Sequence, residues 1–211
     1  MRKIIIIVLI LIILSLFKYE TKEVFKESYD IIYKKGEVGI TFILESDINA
    51  LLINNNDDEN DLIILDYSNI NKLINELKKF KIPKIKNLYN ITPVIIKIDG
   101  IESSQIKPKN NIIELEYNSK KFCIYINDNN FEKKLISCDF IYMYKFNKNI
   151  NLEFDNNTSI VFQNNNNQIP IKLQENLYQN WIDIYTINSY EYTTLKILKD
   201  GFDTIIIPII K

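Results

Sequence analysis

Among 211 residues there is no histidine, and there are only four glycines, two cysteines, one tryptophan (Trp181), one alanine (Ala50) and one arginine (Arg2). Without histidine the chain has no imidazole metal ligand, no Ser-His or Cys-His nucleophile pair and no imidazole acid or base. Four glycines do not form the clustered loop on which phosphate-cradling and dinucleotide-binding turns depend. Most familiar enzyme chemistries are therefore disfavoured before any motif is read. What replaces the missing residues is 44 Ile, 28 Asn and 25 Lys, the codon signature of an AT-rich genome, so these three residue types carry little information where they occur. The length suits one domain with a sizeable core and a short tail.

Arg2 and Lys3 precede an apolar run from Ile4 to Leu14, continued by Ser15, Leu16 and Phe17. Fourteen residues at about 1.5 Å each reach roughly 21 Å, short of the ~30 Å hydrocarbon core and suited to the apolar region of an export signal. No small-residue cleavage pattern follows, because Lys18-Tyr19-Glu20 comes next. The segment reads as a hydrophobic helix that directs export and remains as a short anchor, with its basic end in the cytoplasm. The expected organisation is a signal or anchor segment over 1–18, a mixed-charge linker over 19–37 and a folded domain over 38–211, exported and held at the membrane or released beyond it. Residues 4–211 carry 24 Lys (26 cations minus Arg2 and Lys3) against 27 acids, a net charge of −3. That balance argues against a nucleic-acid partner, whose binding draws on phosphate neutralisation. Cys123 and Cys138 could pair in an oxidising compartment or remain as buried thiols.

From Val38 onward the chain is dense in strand patterns. Val38–Glu45 and Ile48–Asn54 are joined by a tight Ser46-Asp47 turn, and Leu62–Asp66 is apolar enough to be buried on both faces. Ile70, Leu73, Ile74, Leu77 and Phe80 then recur at helical spacing, with Ser68 placed as N-cap and Pro83 as stop. Further strands are expected at Leu88–Ile91, Val94–Asp99, Asn111–Tyr117, Lys121–Asn127, Phe140–Phe146, Ser159–Gln163, Ile182–Ile187, Thr193–Leu198 and Thr204–Ile210. Short helices are expected at Asn130–Ile136 and from Pro170 to about Tyr178. Helices interspersed among more numerous strands predict a layered α/β domain with mixed sheets.

Isolated candidates are few. The acidic loop containing Asp57, Asp58, Glu59 and Asp61 lacks the glycine and ligand spacing of a calcium loop. Lys78, Lys79, Lys81, Lys84 and Lys86 complement the negative end of a helix, although a headgroup patch would use the same residues. Tyr142 and Tyr144 share one face of a strand, and Trp181 with Tyr178 admits either a core or a platform reading. Asp66 and Asp128 end apolar strands, where sites form in α/β folds.

Read in order, these segments resemble the metallo-β-lactamase-fold domain related to the DNA-uptake protein ComEC. Ile40–Ile53 reads ITFILESDINALLI, similar to a family opening of the form VTFLDVGQGDAILI, and IILDYS at Ile63–Ser68 resembles ILIDGG and retains Asp66. Lys81–Pro93 (KIPKIKNLYNITP) retains Thr92 and puts Pro93 where the first metal histidine belongs. Asn111–Asp128 resembles the stretch that places Asp128 at the metal-bridging aspartate, and in Cys138–Asn147 (CDFIYMYKFN) Lys145 and Phe146 stand where two histidines belong. The closing stretch from Ser159 follows the family order through Pro170, Ile182–Thr186 and Asp203–Ile207. The resemblance spans 38–211 and implies a shortened four-layer αββα sandwich with mixed β-sheets.

The departures imply its function. Positions 93, 95, 97 and 98 are Pro93, Ile95, Lys97 and Ile98 instead of the HxHxDH metal loop, and Ser46 and Ile48 replace turn glycines. The resemblance thus implies a pseudoenzyme with no metal, no cofactor and no catalytic residues, keeping Asp66, Thr92 and Asp128 as vestiges and binding an envelope protein or lipid. Two alternatives remain: a lineage-specific envelope lipid- or protein-binding domain of unrelated α/β fold, and a weak hydrolase using carboxylates such as Asp66, Asp128 and Glu153.

Overall fold

In the computed structural model, residues 36–45, 47–55, 59–80, 84–126, 134–146, 152–165, 168–189 and 191–208 are described. The N-terminal apolar segment, Ser46, Pro83 and Asp128 lie outside them. The fold is mixed α/β, mostly strands, with two helices and several sheets. In chain order the elements are β1 (Val38–Glu45), β2 (Ile48–Asn55), β3 (Glu59–Tyr67), α1 (Ile70–Lys79), β4 (Ile85–Asn90), β5 (Lys97–Ile98), β6 (Ile101–Glu102), β7 (Ser104–Gln105), β8 (Ile112–Tyr117) and β9 (Lys120–Ile126). They continue with β10 (Lys134–Ile136), β11 (Phe140–Lys145), β12 (Leu152–Phe154), β13 (Ile160–Asn164), α2 (Ile171–Gln179), β14 (Asp183–Ile187), β15 (Glu191–Leu198) and β16 (Gly201–Pro208). No helix of the described residues is long and apolar enough to cross a membrane.

Two large sheets organise the chain. One has seven strands in the order β16-β15-β1-β2-β3-β4-β7, the other five in the order β14-β13-β11-β9-β8. Their apolar residues alternate with period two, so each central strand serves two cores. On β1 to β3, Ile40, Phe42, Leu51, Ile53, Ile63 and Leu65 share a core with Phe122, Ile124, Phe140, Tyr142 and Phe162 of the other sheet. The intervening Ile43, Ala50, Leu52, Leu62 and Ile64 pack with Leu73 and Leu77 of α1. Cys123, Ile141, Met143 and Val161, from the outer side of the five-stranded sheet, pack with Leu173 and Leu177 of α2. Cys123 and Cys138 are joined by a disulfide within that outer core, with Cα atoms 6.1 Å apart.

Several local expectations are corrected. The cap of α1 is Asn69, whose side chain accepts from the Asn71 N–H at 2.9 Å, while Ser68 turns to donate to Asp47. The strand expected at Val94–Asp99 shrinks to Lys97–Ile98. Asp99 (φ 50°) and Gly100 (φ 86°) form a two-residue turn with both φ values positive, pairing Ile98 with Ile101, so the chain is spent on a hairpin. Val94 and Ile95 are left exposed. In the helix expected at Asn130–Ile136, the described part, Lys134–Ile136, is a strand parallel to Leu152–Phe154, because Ile136 and Leu152 both enter the outer core.

Strand direction gives the molecule two poles. β9, β11, β13 and β14 run parallel, as do β3 and β4, and all end at the same pole. At the opposite pole the β8–β9 turn meets the beginning of β1: Asn118 donates from Nδ2 to the carbonyl of Gly36 at 2.8 Å.

Phe42 is the hub of the shared core, with ring centroids 4.9 Å from Phe162, 5.1 Å from Tyr142 and 6.1 Å from Phe122. Phe42→Ala is expected to cost about 3–5 kcal/mol, read as a lower urea midpoint.

Candidate functional site

The pole at which β3 and β11 end carries the polar cluster. β3 delivers Asp66 one residue past the buried Leu65, and β11 delivers Tyr144 and then Lys145. The Lys145 ammonium donates to Asp66 Oδ2 at 2.8 Å, and the Tyr144 hydroxyl donates to the same oxygen at 3.2 Å and lies 3.1 Å from the Leu65 carbonyl. Lys145 also stands 4.9 Å from the centre of the Tyr144 ring. Deeper in, Asn49 Nδ2 donates to the Tyr142 hydroxyl at 2.7 Å. Asn49 Oδ1 is buried without a hydrogen-bond partner among the described residues.

Two opposing influences set the charge of Asp66. Partial burial pushes its carboxyl upward, but the hydrogen bond and charge of Lys145, the Tyr144 hydroxyl and the Tyr67 backbone N–H outweigh it, so the group sits below its ordinary value of 3.8. Burial moves both phenols the other way: Tyr142 is raised by desolvation, and Tyr144 by desolvation and then by the Asp66 carboxylate. At neutral pH the site is a carboxylate held by an ammonium and a phenol O–H. Both contacts fall on the same carboxylate oxygen, Oδ2.

Thr92 lies in the loop after β4, with its Oγ1 buried and lacking a partner among the described residues. That loop is held by Asn90, whose side chain donates to the Val94 carbonyl and to Ser103 Oγ, and Ser103 Oγ accepts from the Ile96 N–H at 2.8 Å. Glu153 is on β12, in the two-stranded sheet beside the outer core, away from Asp66. The acidic loop is partly described: Asp61 accepts from Asn87 at 2.8 Å. Among the described residues, no three Cys, Asp or Glu side chains gather into a group that could hold a metal ion. Tyr142 and Tyr144 belong to the inter-sheet core and its hydroxyl network, whereas Tyr178 and Trp181 are exposed.

Sequence reasoning singled out Asp66 but missed Lys145 as its partner, since the two are 79 positions apart and only the sheet packing joins them. Comparison with protein-family models, with curated proteins and with solved structures gives no match.

A depressed carboxyl supplies stability that is fully present above the unfolded value and is lost as pH falls through the lower folded value. Asp66 should therefore lose its contribution on acidification below 3.8. The side chains of Lys145 and Asp66 are 57% and 55% exposed, so solvent and salt screen the effect. Between about pH 5 and about pH 3 at low salt, the urea midpoint of Asp66→Asn is expected to fall less than that of the unmodified chain.

Proposed function

We propose that the chain is a membrane-tethered, extracytoplasmic pseudoenzyme with a shortened four-layer αββα sandwich of metallo-β-lactamase type, acting as a binding or scaffold module for another component of the cell envelope. The observation that carries this reading is the contact between Asp66 and Lys145. On the family resemblance, Asp66 occupies the motif position at the end of the third strand and Lys145 occupies a metal-histidine position. The lysine ammonium thus supplies, from within the chain, positive charge of the kind a divalent cation would bring to that carboxylate.

Three further observations support it. α1 packs against the outer side of one sheet and α2 against that of the other, while the inner sides share a core, and this packing supports the layering that the resemblance implies. A chain without histidine cannot assemble the mixed His and carboxylate donor set of a two-metal hydrolase. The Cys123–Cys138 disulfide suits an oxidising compartment, in keeping with export by the N-terminal apolar segment.

The reading is tested by metal analysis of the full chain, purified in detergent and dialysed against zinc or manganese. The expected result is no stoichiometric metal retained after exchange into metal-free buffer. One or two ions held tightly per chain would overturn the pseudoenzyme reading.

A further inference from the structure

We propose that Trp181 is a lipid-interface anchor that seats the pole of the domain nearest the N-terminal tether against the headgroup region of a phospholipid bilayer. The proposal rests on the tethered reading above and adds the surface that faces the membrane. Its first support is a conformation that the fold does not need from a tryptophan. Trp181 follows α2 with φ 59°, its N–H donates to the Tyr178 carbonyl at 3.1 Å, and the Ile182 N–H donates to the Leu177 carbonyl at 3.0 Å. This is the helix-ending arrangement in which the left-handed residue is usually glycine. The apolar contact of that ending comes from Ile182 and Leu177, both buried, while the Trp181 side chain is 93% exposed. The exposed side chain adds nothing to the apolar core that the helix ending buries, and residues held in sparsely populated backbone conformations cluster at functional sites.

The second support is placement. Trp181 lies two residues before β14, whose Asp183 is in register with Ile160 of β13, which in turn is in register with Phe140 of β11 and, through it, with Phe122 of β9. These are the beginnings of the parallel strands, at the pole where Asn118 of the β8–β9 turn binds the Gly36 carbonyl. Trp181 and the point where the N-terminal chain enters the domain therefore share one pole, and the Asp66–Lys145 cluster lies at the other. Tyr178, one turn earlier on α2, is 64% exposed, and Phe202, which packs on Phe140 at 5.1 Å, is partly exposed near the start of β16. Tryptophan and tyrosine favour the boundary between headgroups and acyl chains.

The third support is the length and content of the chain beyond Gly36. Residues 4–17 are apolar apart from Ser15, and 18–35 are only 18 residues, which keep the domain close to any bilayer that holds the apolar run. The occupant is the lipid interface itself and not a particular acidic lipid, because the anchoring side chain is an uncharged aromatic and two cations at this pole are already matched, Lys120 with Asp139 at 2.9 Å and Lys196 with Glu37 at 2.7 Å. Attachment should accordingly change little with ionic strength.

Because Trp181 is the only tryptophan, its fluorescence reports directly on the proposal. The full chain is reconstituted into phosphatidylcholine vesicles, floated on a density gradient, and read for emission wavelength, quenching by lipid brominated on the acyl chain and quenching by aqueous iodide. The expected result is flotation with a blue-shifted emission, loss of most of the signal in brominated lipid and protection from iodide, at low and high salt alike. A floating chain whose emission is that of water-exposed tryptophan, open to iodide and untouched by bromine, overturns the anchor and leaves the tethered reading standing. A chain that does not float overturns both.

Discussion

The structure depends on one constraint, the burial of its central strands on both faces. On β1 every residue from Val38 to Leu44 is buried, so neither face of the seven-stranded sheet can be given to water there. The inner face is covered by the aromatic side chains of the five-stranded sheet, with Phe42 held among Phe122, Tyr142 and Phe162. The outer face needs α1, and the outer face of the second sheet needs α2 for the same reason. The polar cluster follows from this packing. Asp66 follows Leu65 on β3, Lys145 follows Tyr144 on β11, and Leu65 and Tyr144 belong to the shared core, so bringing the sheets together brings the two charges together.

The same packing separates two kinds of surface. At the pole where parallel strands end, the chain presents a carboxylate held by an ammonium, with phenols kept protonated by burial. At the other pole it presents the start of β1, the Lys120–Asp139 and Lys196–Glu37 ion pairs and exposed aromatic residues. A tethered domain seated on its Trp181 pole would turn the Asp66 pole away from the bilayer, where an envelope partner could reach it.

Much of this was legible in the sequence where period-two burial and strand length agree: β1, β2, β3 and the apolar face of α1 follow from local pattern alone. Other features were hidden for identifiable reasons. The run from Val94 reads as a strand by composition, but the Asp99-Gly100 turn folds it back after two residues, and Asn90 ties the preceding loop through Ser103. Lys134–Ile136 reads as the end of a helix until its parallel partner, Leu152–Phe154, is known. Asp66 could be marked as an end-of-strand carboxylate, whereas its neutralisation by Lys145 depends on contact between distant strands. Exposure of Trp181 was unreadable because tryptophan usually signals a core, and left-handed geometry at the end of α2 is a property of the backbone.

The central claim is that the chain's own lysine holds the charge of Asp66. Its most direct test is the Asp66 carboxyl pKa, followed by carbon NMR of the labelled full chain in detergent, with and without Lys145→Met. The account predicts a value below 3.8 in the unmodified chain and a clear rise in the variant, where burial still acts but the ammonium is gone. The same value in both proteins would contradict it.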